Sequence, residues 1–305
     1  MKLGLYKKMD VSIVIVNYNT LQMTLDCINS VYEQTKEIAF EVILVDNASL
    51  DGSKEFFEQD KRIKYLYNSQ NLGFGRANNR GLEICSGRNV LFLNSDTLLT
   101  DNSVKKLSDY LDKNQNVGAC GGNLFFVDGS PIHSFRRIFP SVLDSVDILF
   151  FHMISKILYG KSSEHNFSNL PIKVAYITGA DLMIRKNLLL QLKGFDSRFF
   201  MYYEETELCR RISRLGYSIM AIPETYIIHH ESKSVSLNSG SIKKMRMLNR
   251  SKRLYLNIQC KKISKTLIDF LWIITVVSRI VLLFFSKKHR NIWICHLRNS
   301  MPWCR

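Results

Sequence analysis

Three short apolar runs, each closing on a polar residue, set the pattern of the chain: SIVIVNYN at 12–19, EVILVDNAS at 41–49 and VLFLNSDT at 90–97. Runs this brief and this rich in β-branched and aromatic residues predict strands buried on both faces of a parallel sheet. Between them the spacing turns helical. LQMTLDCINSVYEQ (21–34) places apolar residues at 21, 25, 28, 31 and 32, with Asn19 or Thr20 as its cap. Asp51-Gly52-Ser53 predicts a turn opening a second helix, and residues 65–85 predict a strand, a glycine-rich loop and a helix from about Arg76. Strands alternating with helices predict an α/β fold, a mostly parallel twisted sheet with helices on both faces. No internal repeat or low-complexity tract interrupts it.

In open α/β sheets ligands bind beyond the carboxyl ends of the strands. Asn17, Asp46 and Asp96 therefore aim at one edge. An Asx turn or a helix cap would explain any one of them; the three together predict a binding crevice. The loop NLGFGRANNRG (71–81) could cradle a phosphate at the helix start. However, Asn78 stands where G-x-G-x-x-G needs its third glycine, and no P-loop Gly-Lys-Ser/Thr follows. Neither a Rossmann dehydrogenase nor a P-loop kinase is supported.

A second cluster lies at 194–217. The aromatic and apolar run 199–203 leads into Glu204-Glu205-Thr206-Glu207 and a helix with Leu208, Ile212 and Leu215 on one face. Acids in a first turn suit the helix dipole, and Glu207 faces Arg210 or Arg211 three or four residues on. Glu204 and Glu205 adjoin bulky aromatics, where partial desolvation would raise a carboxyl pKa toward a general base's range. AIPETYIIHHES then predicts a strand ending at His229-His230, either structural or metal-ligating. A hairpin is expected at Asp128-Gly129, and residues 121–181 are expected to shape the substrate pocket.

Charge divides the chain. Of 42 basic and 27 acidic residues, 15 basic and one acidic (Asp269) fall in 241–305, a net of +14; the remainder nets +1. Two units are thus expected, a catalytic domain over 1–240 and a basic, apolar helical tail over 241–305. The tail holds TLIDFLWIITVVSRIVLLFF (266–285), flanked by Lys261, Lys262 and Lys265 and by Lys287, Lys288 and Arg290. A bare span needs about 20 apolar residues, and the internal Asp269 and Arg279 are costly there. A helix lying on an anionic membrane surface fits better than one transmembrane helix, with docking on the protein's own core as the remaining reading. Basic residues flanking an apolar helix, not interleaved with exposed aromatics, argue against nucleic acid as the partner. MKLGLYKKMD has no apolar stretch before Val11, so no signal peptide is expected. The seven cysteines form no CxxC pair and read as reduced core thiols.

Taken in order, strand–Asn17, DNASLDGS, NLGFGRANNRG, LFLNSDT, TGADLMIRKNLLLQLKGFD, FFMYYEETELCRR and the late HH resemble glycosyltransferase family 2 over about residues 11–235. The nearest likeness is to bacterial rhamnosyltransferase-like members of O-antigen and capsule assembly. The resemblance implies the GT-A fold and inverting transfer of one sugar, with rhamnose a candidate, from a UDP- or dTDP-sugar to a saccharide on a polyprenyl diphosphate. The place implied is the cytoplasmic face of the bacterial inner membrane. Asn94-Ser95-Asp96 falls at the family's DXD position, so Asp96 would hold Mn²⁺ or Mg²⁺; Asn94 replaces the first acid, which predicts modest metal affinity. Asp46 would accept from a pyrimidine N3–H, with Asn17 and Asn47 in the same donor pocket and Arg76 near the base or diphosphate. Glu205 takes the position of the catalytic base with Glu204 its neighbour, and His229 or His230 that of a further metal ligand. The QxxRW signature of processive synthases is absent.

Rival readings are a nucleotidyltransferase, releasing pyrophosphate from a nucleoside triphosphate, and a non-catalytic nucleic-acid-binding protein using the tail. A retaining hydrolase needs paired carboxylates but no strand-end acids around a nucleotide.

Overall fold

Alternation along four parallel strands decides which helices cover which face. The computed structural model describes residues 9–230, 239–282 and 293–294. In it β1 (Val11–Asn17), β2 (Phe40–Asp46), β3 (Ile63–Tyr67) and β4 (Asn89–Asn94) pair in parallel in the order β3-β2-β1-β4. Successive side chains of a strand point to opposite faces. Ile13, Ile15, Leu91 and Leu93 pack in one core with Cys27, Ile28 and Val31 of α1 (Leu21–Gln34); Val14, Val90 and Phe92 pack in the other. Two short helices lie between these strands, α2 (Ser53–Phe57) and α3 (Phe74–Leu82).

Beyond β4 the sheet becomes mixed. β5 (Thr97–Leu99) and α4 (Ser103–Lys113) precede β6 (Val117–Phe125), which ends in the expected turn: Gly129 has φ +77° and Phe126 N–H donates to Ser130 O at 2.8 Å. There follow β7 (Phe135–Arg136), α5 (Val142–Leu149), α6 (Met153–Tyr159), β8 (Ile172–Val174) and β9 (Tyr176–Ile177), with β7 and β9 forming a two-stranded sheet. β10 (Asp181–Arg185) enters antiparallel between β4 and β6, and α7 (Lys186–Leu192) follows it. α8 (Glu204–Arg214) leads to β11 (Ser218–His229), parallel to β6 and antiparallel to β5 and β8. The full order is β3-β2-β1-β4-β10-β6-β11-β5. The predicted parallel sheet thus holds from β3 to β4. β10 reverses because residues 178–180 approach at the ligand edge of β4, where Asn94 N–H donates to Ala180 O at 2.9 Å.

One helix start differs from the sequence expectation. α3 begins at Phe74, two residues early, because Gly73 takes φ +81° and turns the chain there. α1 starts at Leu21 as its spacing predicts, with Thr20 in the N-cap position; the Thr20 side chain makes no capping hydrogen bond, and Asp51 Oδ2 accepts from Leu21 N–H at 2.8 Å while Asn17 Oδ1 accepts from Thr20 N–H at 3.2 Å.

The charge boundary at residue 240 is not a packing boundary. α9 (Ser239–Gln259) and α10 (Lys262–Leu282) bury Tyr255, Leu256 and Ile268 in a cluster with Phe199, against which Val142 and Tyr203 pack. No helix among the described residues is long and apolar enough to cross a membrane. Residues 1–8, 283–285, Lys287, Lys288, Arg290, Cys295 and Cys304 lie outside the described residues. Cys27, Cys85, Cys120 and Cys209 are buried free thiols and Cys260 is half-buried, as reduced core cysteines should be.

Candidate active site

β4 delivers Asn94 and Asp96 to the edge of the sheet, and β5 makes the site by turning straight back. Antiparallel pairing sets His229 of β11 against Thr97, so the imidazole Nε2 lies 3.2 Å from Asp96 Oδ1 and 3.4 Å from Asn94 Nδ2. Burial alone would raise the Asp96 pKa; the hydrogen bond and charge of His229 outweigh it and hold the carboxyl below its ordinary range. His230 is exposed and meets Asp96 through its backbone, its N–H donating to Asp96 O at 2.9 Å.

The glutamate pair is presented by a strained turn. Tyr202 and Tyr203 have φ +70° and +68°, a region bulky side chains rarely enter and one that marks functional strain when it recurs. The glycine-rich loop supports this turn. Phe74 N–H donates to Phe200 O at 2.8 Å, and a Cβ on Gly73 would stand 2.2 Å from that oxygen. A Cβ on Gly75 would stand 3.5 Å from Glu204 Cβ. The glycines therefore serve close packing against 200–204, and the Phe74 N–H, at the helix start read as able to cradle a phosphate, is taken by the Phe200 carbonyl. Glu204 is 3% exposed. Burial first, then the neighbouring charge of Glu205, raises its pKa. Burial likewise raises that of half-buried Glu205, whose Oε1 accepts from Thr206 Oγ1 at 2.9 Å. Glu207 pairs with Arg211 at 2.7 Å, the helical partnership read from their spacing.

A cavity of about 600 Å³ joins these elements, lined by Asn94, Asp96, His229, Glu204 and Glu205. His133, Arg136, Tyr176 and Thr178 also line it, inside the segment expected to shape the pocket. Their identities were not legible, because the stretch around β7 has irregular polar spacing and its placement depends on a nonlocal two-stranded pairing. Four residues lining the cavity carry a buried polar atom without a protein partner: His133 Nε2, Thr178 Oγ1, Glu204 Oε2 and His229 Nδ1. Such atoms are rare in folded interiors, and their convergence suits a polar ligand. Burial pushes the His133 imidazole down to about 4, leaving it neutral and able to meet a hydroxyl.

The other predicted donor residues lie elsewhere along the edge. Asn17 and Asp46 face each other across β1 and β2, both fully buried. Asp46 Oδ1 accepts from Ser49 N–H at 2.8 Å and Oδ2 from the Tyr65 hydroxyl at 3.0 Å. Asn47 Oδ1 accepts from Leu72 N–H at 2.9 Å and from Asn68, tying the glycine-rich loop to β2. These three side chains organise the surrounding loops and do not line the cavity. Arg76 is exposed on the first turn of α3, also outside the cavity lining.

Among the described residues no three His, Cys, Asp or Glu side chains converge as a metal cage. Asp96 and His229 are a pair only; of the two histidines expected as alternative ligands, His229 stands beside Asp96, while the His230 side chain is exposed. A carboxylate and an imidazole at a cavity edge fit a divalent cation that completes its shell with ligand oxygens.

The sequence matches the family model described as glycosyl transferase family 2 over residues 12–191. It is 25% identical to an N-acetylglucosaminyl-diphospho-decaprenol L-rhamnosyltransferase of Mycobacterium tuberculosis, over 66% of this chain and 69% of that protein. It is 27% identical to a low-salt glycan biosynthesis hexosyltransferase of Haloferax volcanii, over 73% of this chain and 67% of that protein. In structure it is similar to a mannosyltransferase from Pyrobaculum calidifontis in complex with GDP-Man and Mn²⁺, with TM-score 0.59 at 14% identity, covering 97% of this chain and 88% of that one. At that identity the likeness is one of fold, the GT-A arrangement.

Proposed function

The chain belongs to glycosyl transferase family 2, and we propose that it transfers one sugar, with inversion, from a nucleotide-sugar donor to a saccharide carried on a lipid diphosphate. The observation that carries this reading is the shared cavity. It combines a carboxylate–imidazole pair suited to a diphosphate-bound cation with two glutamates of raised pKa suited to taking a proton.

In this mechanism Glu205 accepts the proton of an acceptor hydroxyl as its oxygen attacks the anomeric carbon from the face opposite the leaving group. The bond from that carbon to the diphosphate oxygen breaks, and the nucleoside diphosphate leaves with the electron pair. Asp96 and His229 would hold Mn²⁺ or Mg²⁺, whose charge offsets that of the departing diphosphate. The imidazole favours Mn²⁺ of the two. Asn94 meets ribose or phosphate, while Asn17, Asp46 and Asn47, which do not line the cavity, hold the loops that would border a UDP or dTDP base beyond it, on the side where Arg76 is exposed. Burial raises the carboxyl pKa of both Glu205 and its neighbour Glu204, the direction that suits a carboxylate to general-base work.

The lipid-linked acceptor and rhamnose as the sugar are carried over from the relative of M. tuberculosis. The basic residues of 241–305 support a place at an anionic membrane surface. Membership of the family favours sugar transfer over nucleotidyl transfer and over nucleic-acid binding. Incubation with a panel of nucleotide sugars tests this. Slow release of nucleoside diphosphate from one of them, and an inverted anomer in the product, are expected. Release of pyrophosphate from a nucleoside triphosphate would overturn it.

A further inference from the structure

The corner joining α5 to α6 is held in an unusual shape and presents apolar side chains outward. Phe151 and His152 have φ +56° and +60°. From inside, Asp147 fixes the turn: its backbone O accepts from His152 N–H at 2.7 Å, and its carboxylate accepts from Ser155 N–H at 2.9 Å and Ser155 Oγ at 2.5 Å. From outside, Arg279 of α10 donates to the carbonyls of Ile148 and Leu149 at 2.8 and 3.0 Å and lies over the Phe151 ring, 3.3 Å from its centroid. Corner and helix are therefore one unit.

Its outer surface is apolar. Phe150, Phe151, Met153, Ile157 and Leu158 are each more than half exposed. On α10, Ile263, Leu267, Phe270, Ile274, Val277 and Val281 are exposed at intervals of three and four, one helical face, while Ile268, Val276 and Arg279 face the protein. A contiguous exposed apolar face on a rigid support marks a contact surface. Charge identifies the partner. α5, α6 and α10 carry three acids, Asp147 buried and Asp144 and Asp269 half-buried, whereas Lys156, Lys161, Lys261 and Lys262 are exposed around the face. Apolar side chains flanked by lysines suit the head-group layer of an anionic bilayer, and no described helix is long and apolar enough to cross one.

We propose that the α5–α6 corner and the outer face of α10 form one docking surface that enters the interfacial layer of an anionic membrane. The surface adjoins the active site: Val142, at the start of α5, packs on the cluster that Tyr203 also contacts, and Tyr203 lines the cavity. Docking would hold the cavity over an acceptor anchored in the same bilayer, a consequence that rests on the acceptor reading given above.

The test is sedimentation of the full chain with vesicles of phosphatidylglycerol and phosphatidylcholine, and with phosphatidylcholine alone. The wild type should bind the anionic vesicles and bind the neutral ones weakly. Phe150→Ser/Ile157→Ser and Ile263→Ser/Phe270→Ser should each weaken binding at least about tenfold through lost apolar burial. Donor hydrolysis without vesicles, unchanged in both, shows that the variants fold. Failure of wild type to bind, or corner variants that bind as wild type, would overturn the proposal. Concentration-dependent self-association abolished by the same substitutions would also overturn it, assigning the face to a second copy. If hydrolysis is absent in every protein while vesicle binding follows the expected pattern, the transfer reading fails and the docking surface stands.

Discussion

Asp96 Oδ1 lies 3.2 Å from His229 Nε2, joining the end of β4 to the end of β11. The contact exists because β5 starts immediately after Asp96 and pairs antiparallel with β11, so the strand register sets the spacing. Elements distant in the chain thereby share one edge, and the side chains held there can be replaced without removing a core residue.

Asp96→Asn should abolish transfer while leaving the melting temperature within a few degrees of wild type, since Asp96 is only partly buried. His229→Gln should lower transfer less and raise the metal concentration needed for half-maximal rate. Chelator should silence the wild type, and added Mn²⁺ should restore it. Full activity in excess chelator would remove the cation from the mechanism.

The turn that presents the glutamates depends on Gly73. Its φ is +81°, and a Cβ there would stand 2.2 Å from the Phe200 carbonyl oxygen, which is backbone and cannot swing aside. Gly73→Ala should cost about 2–3 kcal/mol of stability and reduce turnover in the folded fraction, because it displaces 200–204. Gly129→Ala is the control: it also has positive φ, at +77°, but its nearest neighbour is a tyrosine hydroxyl at 3.3 Å. Thermal melts of the two variants, alongside turnover per folded molecule, separate strain from site displacement.

Much of this was legible in the sequence for a local reason. Buried parallel strands leave continuous apolar runs, so β1, β2 and β4 and the polar residues ending them can be read directly. Glu207 was readable because its partner Arg211 lies one helical turn away. What was not legible depends on nonlocal pairing. Nothing near Asp96 indicates that β10 will insert antiparallel beside β4, or that β7 and β9 will bring His133 and Tyr176 to the cavity. Asp46 read as a ligand-facing acid because its strand-end position allows either duty; that Ser49 and Tyr65 donate to its two oxygens is known only from the fold. The basic tail looked separable because charge changes sharply at 240, whereas the apolar contacts of Tyr255 and Ile268 with Phe199 cross that boundary.

Those contacts carry a prediction of their own. Truncation after residue 240 removes Tyr255, Leu256 and Ile268 from the cluster that supports Phe199 and Tyr203. Loss of membrane binding should therefore be accompanied by a lower melting temperature and slower donor hydrolysis. Hydrolysis at the wild-type rate by the truncated chain would show that 241–305 is a dispensable appendage.

Glu204 predicts a pH dependence of stability. Burial and then the Glu205 charge raise its folded pKa from 4.5 to about 8. Between those values the folded chain binds more protons than the unfolded one, so the contribution of Glu204 is fully present below about 4.5 and is lost as pH rises through about 8. Glu204→Gln, which cannot ionise, should match wild type at about pH 4.5 and melt a few degrees higher at about pH 9. Melts of both proteins across that range check it; a constant difference at all pH values would place the effect in packing instead.

Glu205 is the expected base, with Glu204 beside it the competitor. Both glutamates line the cavity; Glu205 is half-buried, so its carboxylate can meet an incoming hydroxyl, whereas Glu204 is buried and packed beside Gly75. Glu205→Gln keeps shape and hydrogen bonding but cannot take a proton. It should bind the donor as wild type does and transfer at least about a hundredfold more slowly, the usual cost of losing general-base help. Because burial raises the Glu205 pKa above 4.5, the wild-type rate should fall on acidification through that raised value, as the base becomes protonated before transfer. The residual rate of Glu205→Gln should lack that acid limb. Rate–pH profiles of wild type, Glu205→Gln and Glu204→Gln, each with donor affinity measured separately, distinguish the two acids. A near-wild-type Glu205→Gln beside an inactive, folded Glu204→Gln would assign the proton transfer to Glu204.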